Sequence, residues 1–176
     1  TYETPPSVGE IVDTAGSVQV RPYGGRYRDL YDGEPLYAGF SIRVDRKGRF
    51  AVEAETAVLH VDETTELEFA AAGDYTLAEG RILVEHTAAG DNPPVQVLTK
   101  PVWVHVADGR AVVRSDGERA TVFCLSGMTM LSRNLEEHIV LQSGQAGTAD
   151  REGLSRTIRP FEPRYQTHWL RRFAHQ

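Results

Sequence analysis

Apolar residues at every second position, in short runs every eight to twelve residues with turn signals of Gly, Asp, Asn and Pro between them, confine this chain to β-structure. Ser17-Val18-Gln19-Val20 alternates cleanly; so do Phe50, Val52 and Ala54, then Leu59 and Val61, then Val102, Val104 and Val106. Successive side chains of a strand point to opposite faces, so a period of two places one face against a core and leaves the other outside. Thr121-Val122-Phe123-Cys124-Leu125 is apolar almost throughout. Before residue 160 no window sustains a helical period. Many short strands at this spacing make a sandwich, a barrel or a β-solenoid. One phrase recurs three times: "TAGSVQVRP" (Thr14–Pro22), "LAEGRILVEH" (Leu77–His86) and "CLSGMTMLSR" (Cys124–Arg133). In each, the glycine is expected to make a turn that starts a new strand, and Asp108-Gly109 and Ser126-Gly127 likewise read as turns between strands.

The 176 residues suit one large domain, and 40% hydrophobic residues suffice for a core. Gly90-Asp91-Asn92-Pro93-Pro94 is the strongest loop. It divides the β region into two parts that are each small for an independent core, so it is expected to be a crossover within one domain. The organisation expected is an N-terminal arm over residues 1–7, an all-β domain over 8–154, and a tail over 155–176. No apolar run approaches the eighteen or so residues of a helical membrane span, so a soluble chain is expected. The chain begins at Thr1 rather than Met, and removal of an upstream segment is expected.

Charge separates body from tail. Residues 1–150 carry 13 Lys and Arg against 23 Asp and Glu, whereas residues 151–176 carry six Arg against Glu152 and Glu162. An acidic body argues against nucleic-acid binding, which needs a basic face. Cys124 is the only cysteine, so no intramolecular disulfide and no Cys-pair zinc site can form.

Catalytic patterns are missing from the sequence. No G-x-S-x-G presents a nucleophile, and no phosphate-binding glycine loop precedes a helix. Cys124 alternates into an apolar strand, where a buried, inert thiol is expected. His60, Asp62, His86 and His105 are residue types that ligate metals; with Leu59 and Val61 facing the core, however, His60 and Asp62 are expected to face solvent. Asp62, Glu63, Glu66 and Glu68 resemble a hydrolase pair less than a solvated edge strand, where acids discourage sheet pairing. Trp103 lies opposite the Val102–Val104–Val106 face. With Tyr23, Tyr27, Tyr31 and Tyr37 it could form a sugar-binding platform, or it could pack on the second face of a sandwich. No catalytic residue, cofactor or metal is expected.

Taken in order, the segments resemble the FecR-like domain family of bacterial envelope proteins. "VGEIVDTAGSVQVRP" and "DLYDGEPLYAGFSIRVD" match its opening. "GRFAVEAETAVLHVDETTELEF", "YTLAEGRILVEH" and "VQVLTKPVWVHV" match its strand ladder, and "ATVFCLSGMTMLSR" and "IVLQSGQAG" match its ending. The likeness covers Val8 to about Gly153. One step departs: the family's Gly-Thr-x-Phe is replaced by Val106-Ala107-Asp108-Gly109-Arg110. In the signalling branch an anti-sigma segment and a membrane span precede the domain, and residues 1–176 include neither. The resemblance implies an all-β fold, a β-sandwich or twisted β-solenoid, in a non-catalytic, extracytoplasmic domain that works by docking.

The tail supplies the candidate contact residues. Pro160 and Pro163 make an extended spacer. After it Tyr165, Trp169 and Phe173 fall at i, i+4 and i+8, with Leu170 beside them, as in a short amphipathic helix. Arg164, Arg171 and Arg172 flank this stripe. Trp, Tyr and Arg dominate interface hot spots, so the tail is expected to dock on a protein partner in a membrane-bound or envelope assembly. Its arginines would also suit peripheral contact with an anionic membrane. The functional expectation is a non-catalytic, extracytoplasmic and periplasmic interaction or scaffold domain acting as an accessory subunit; the alternatives are the periplasmic sensing domain of a FecR-type transmembrane signalling protein and a carbohydrate-binding module.

Overall fold

A computed structural model describes residues 7–86, 93–134, 136–157 and Trp169. The strands before the Gly90–Pro94 loop are β1 (Ser7–Ala15), β2 (Val18–Arg21), β3 (Arg28–Asp29), β4 (Pro35–Tyr37), β5 (Phe40–Val44), β6 (Arg49–Glu53), β7 (Ala57–Val61), β8 (Thr65–Ala71) and β9 (Asp74–His86). After it come β10 (Val95–Leu98), β11 (Trp103–Ser115), β12 (Ala120–Ser132), β13 (His138–Gln142), β14 (Ala146–Asp150) and β15 (Gly153–Thr157). The strands thus reach one residue before and three beyond the expected 8–154 domain. Period-two burial produces them: β8 buries Thr65, Leu67 and Phe69 and exposes Glu66, Glu68 and Ala70.

All pairings are antiparallel except that of β9 with β10. β9, β11 and β12 have 13 residues each and pass from one layer of a sandwich to the other. The first half of β9 pairs with β8 and β10, and the second half with β7 and β11. β11 pairs with β10 before Gly109 and with β9 after it. β12 pairs with β14 at its start and with β13 at its end. The first layer therefore runs β3-β2-β5-β8-β9-β10-β11-β12-β13, and the second β4-β1-β6-β7-β9-β11-β12-β14-β15.

This corrects the expectation of turns at Gly80, Gly109 and Gly127. Gly16 does lie between two strands, but the other three sit inside β9, β11 and β12, where the chain bends without ending. Their φ values are 114°, 82° and 74°. Gly109 faces Gly127 across the ladder, with register shifts on both sides of Gly109. A Cβ on Gly109 would lie 2.2 Å from the Ser126 carbonyl oxygen, and one on Gly127 would lie 2.3 Å from that of Asp108. Positive φ and backbone contact both demand glycine there, as bulged, bent strands do.

One core fills the space between the layers. Ile42, Leu67, Phe69, Val97 and Val104 come from the first layer, and Phe50, Leu59, Ile82, Val113 and Val122 from the second. Gly147 on β14 lets the layers close, because a Cβ there would come within 2.8 Å of Leu131. The sheet is not closed into a barrel. Among the described residues no helix is long and apolar enough to cross a membrane.

Candidate functional site

The outer face of the second layer carries a cross-strand row that local sequence does not reveal. Register aligns Ala51, His60, Leu83, Val112, Phe123 and Ala146 on β6, β7, β9, β11, β12 and β14. Leu83 and Val112 point outward because Ile82, Val84, Ala111 and Val113 point into the core. Even so, both are fully buried, since Trp169 lies over them and is itself 1% exposed. Phe123 and Leu125 pack beside it. The Arg81 guanidinium stands 4.8 Å from the Trp169 ring centroid, within cation–π range. Asp62 aims that guanidinium: Arg81 Nε donates to Asp62 Oδ2 at 2.9 Å, and Arg81 Nη2 donates to the same oxygen.

Asp62 was expected to face solvent with His60 and instead is buried. β7 ends at Val61, so alternation no longer governs Asp62, and its Arg81 partner compensates the burial. His60 does point outward and meets Glu85 at 3.7 Å, while Arg110 Nε reaches Glu85 at 3.1 Å. His60 and then Arg110 hold the Glu85 carboxyl below its ordinary range against an opposing desolvation.

Of the residues expected to contact a partner, Trp169 is covered by the chain's own sheet. Arg164, Tyr165, Leu170, Arg171, Arg172 and Phe173, with the expected short helix, lie outside the described residues. Trp169 was expected to be available for docking; the outward apolar row, invisible without register, is what takes it up.

The first layer's outer face differs. Trp103 is 41% exposed and Met128 45%. Trp103 faces Leu98 and Ser132 across the ladder, His105 faces Gln96 and Met130, and Met130 faces Val140. Partial burial pushes the His105 imidazole down from its usual value. The result is an apolar strip with polar neighbours, open to solvent. The tyrosines do not join it. Tyr27 lies under Arg43, 4.2 Å from ring centroid to guanidinium, and Tyr37 packs edge-on against Phe40. Arg21, which also covers Tyr27, is five strands from Trp103 along the row Arg21-Ser41-Glu68-Thr76-Leu98-Trp103. At the usual spacing between strands that is about 24 Å.

The remaining candidates are scattered. Cys124 is buried, and burial raises its thiol pKa. His86 is buried with Nδ1 3.0 Å from the Thr56 carbonyl oxygen, whereas His105 points outward from the first layer. Among the described residues no three His, Cys, Asp or Glu side chains are grouped to hold a metal ion. Glu66 and Glu68 are exposed, but β8 lies between β5 and β9 and is no edge strand, which corrects that expectation. Their role as an edge guard falls with it. Sequence reading also missed an open cleft of about 650 Å³ at one end of the sandwich, lined by Glu10, by Glu53 and Glu55 on one stretch, and by Asp74.

No protein-family model matches the chain. No curated protein matches it either. Two crystal structures of a putative anti-sigma factor from Parabacteroides distasonis ATCC 8503, at 1.65 and 2.50 Å resolution, do resemble it. The first is 18% identical with a TM-score of 0.61, over 74% of this chain and 64% of that one. The second is 18% identical with a TM-score of 0.60, over 74% and 63%. The chain thus spans less than two thirds of the length of those structures, and the likeness is one of fold.

Proposed function

We propose that the protein is a non-catalytic interaction domain of the bacterial envelope, an accessory subunit that docks on a membrane-associated assembly. The observation that carries this reading is the contrast between the two outer faces. Trp169 seals the apolar row of the second layer, whereas the strip around Trp103 and Met128 on the first stays open. Tryptophan and methionine on a rigid sheet are the residue types enriched at protein interfaces. The ordered FecR-like phrases and the fold likeness to an anti-sigma factor support an extracytoplasmic, regulatory setting. In this reading the arginines of the tail, Arg164, Arg171 and Arg172, add contacts to an acidic partner or an anionic membrane surface.

A photo-crosslinking amino acid placed at Trp103 in the native host tests the proposal. A discrete adduct with one membrane-associated protein is expected, absent when the probe is at Thr148 on the second layer. Equal labelling from both positions would remove the Trp103 strip as the docking face.

The second reading is the sensing domain of a FecR-type transmembrane signalling protein, which the fold likeness favours. A membrane span encoded just upstream of Thr1, preceded by a small helical domain, would select it. A glycan platform has less support, because Tyr27, just before β3 and under Arg21, lies far across the first layer from Trp103 on β11.

A further inference from the structure

Trp169 reaches its seat from β15 through residues 158–168. Eleven residues and their flanking bonds span up to roughly 40 Å when extended. From β15 the seat lies across β14 and β12, over β11 and β9, which is about 14–19 Å at ordinary strand spacing. The connection is about twice as long as the path requires. Chain connectivity therefore does not force Trp169 onto Leu83 and Val112; the chemistry of the seat selects it. That chemistry is built for a flat aromatic ring. Leu83 and Val112 make an apolar floor, and Phe123 and Leu125 stand beside it. Arg81, fixed by the buried Asp62, stands over the ring.

We infer that the outer face of the second layer is a receptor for a tryptophan-bearing segment. The chain's own Trp169 fills it in this structure, and the same segment of a second copy can replace it. The length of the connection permits the exchange, because an identical segment meets an identical seat in either arrangement. The tethered segment has the advantage of effective concentration, so a free segment competes poorly until the tether's own tryptophan is weakened.

The test uses the full chain and a fluorescent peptide of residues 158–176. Trp169→Ala is expected to bind the peptide at least tenfold more tightly than the wild-type chain, in which the seat is filled. Adding Arg81→Ala to that variant should weaken binding again, whereas adding Trp103→Ser should not, which separates this seat from the first-layer strip. Trp169→Phe is the milder second variant and should give intermediate affinity. Equal peptide binding by the wild-type chain and both variants would overturn the receptor. Absence of binding in all three, with native circular dichroism, would overturn it too. If both variants unfold, Trp169 is part of the indispensable core and no exchangeable receptor exists.

Discussion

Glu85 stands between His60 and Arg110 on the outer face of the second layer, and both partners favour its charged form. A carboxyl with a depressed pKa in the folded state contributes stability above its unfolded pKa, near 4.5, and that contribution is lost as pH falls through the lower folded value. Glu85→Gln should therefore lower the melting temperature at pH 7, and the gap to the wild-type chain should close as pH falls below about 4.5 and through the lower folded value. A gap that persists unchanged below that value would assign the effect to shape rather than charge. Cys124 has a different environment, with its side chain inside the core. A thiol-reactive dye should label it only in denaturant. Cys124→Ala should cost about 1 kcal/mol, as loss of a small buried group does.

Bent strands, more than turns, make this sandwich. At Gly109 and Gly127 the two backbones touch where β11 and β12 cross between layers, so a side chain has no room and the wrong φ. Gly127→Ala should cost at least 3 kcal/mol, combining left-handed strain with a clash against the Asp108 carbonyl. Gly117 offers the control: its φ is 97°, but a Cβ there meets nothing within 4 Å. Gly117→Ala should cost only about 1 kcal/mol. Urea unfolding of the two variants side by side measures the difference, and equal losses would show that contact at the bend is unimportant.

Across the whole molecule, the Gly90–Pro94 loop divides the sequence but not the structure. β9 precedes it and β10 and β11 follow it, yet β9 pairs with both, and each layer draws strands from either side. A fragment of residues 93–157 should be unfolded by circular dichroism, because its central ladder partner is missing and half of the core is gone. Mixing it with residues 1–92 should restore β signal. A folded isolated fragment would make the chain two domains. With so many pairings between distant segments, refolding should take milliseconds to seconds rather than microseconds.

Alternation alone determined that the chain is all-β, that Cys124 lies inside and that Trp103 lies on the face opposite Val102, Val104 and Val106, because these depend on residues one or two positions apart; that this face is open at Trp103 came from the structure. The sequence also indicated the glycines, since a positive φ is a local requirement. It could not distinguish a glycine that ends a strand, as Gly16 does, from one that bends it, as Gly127 does; both satisfy the same dihedral, and only the pairing on either side differs. The burial of Asp62 was equally hidden, because its partner Arg81 is 19 residues away and meets it only when β7 pairs with β9. So was the seat of Trp169. Leu83, Val112 and Phe123 belong to three strands and become one apolar surface only through register, which is a long-range property that tertiary structure decides.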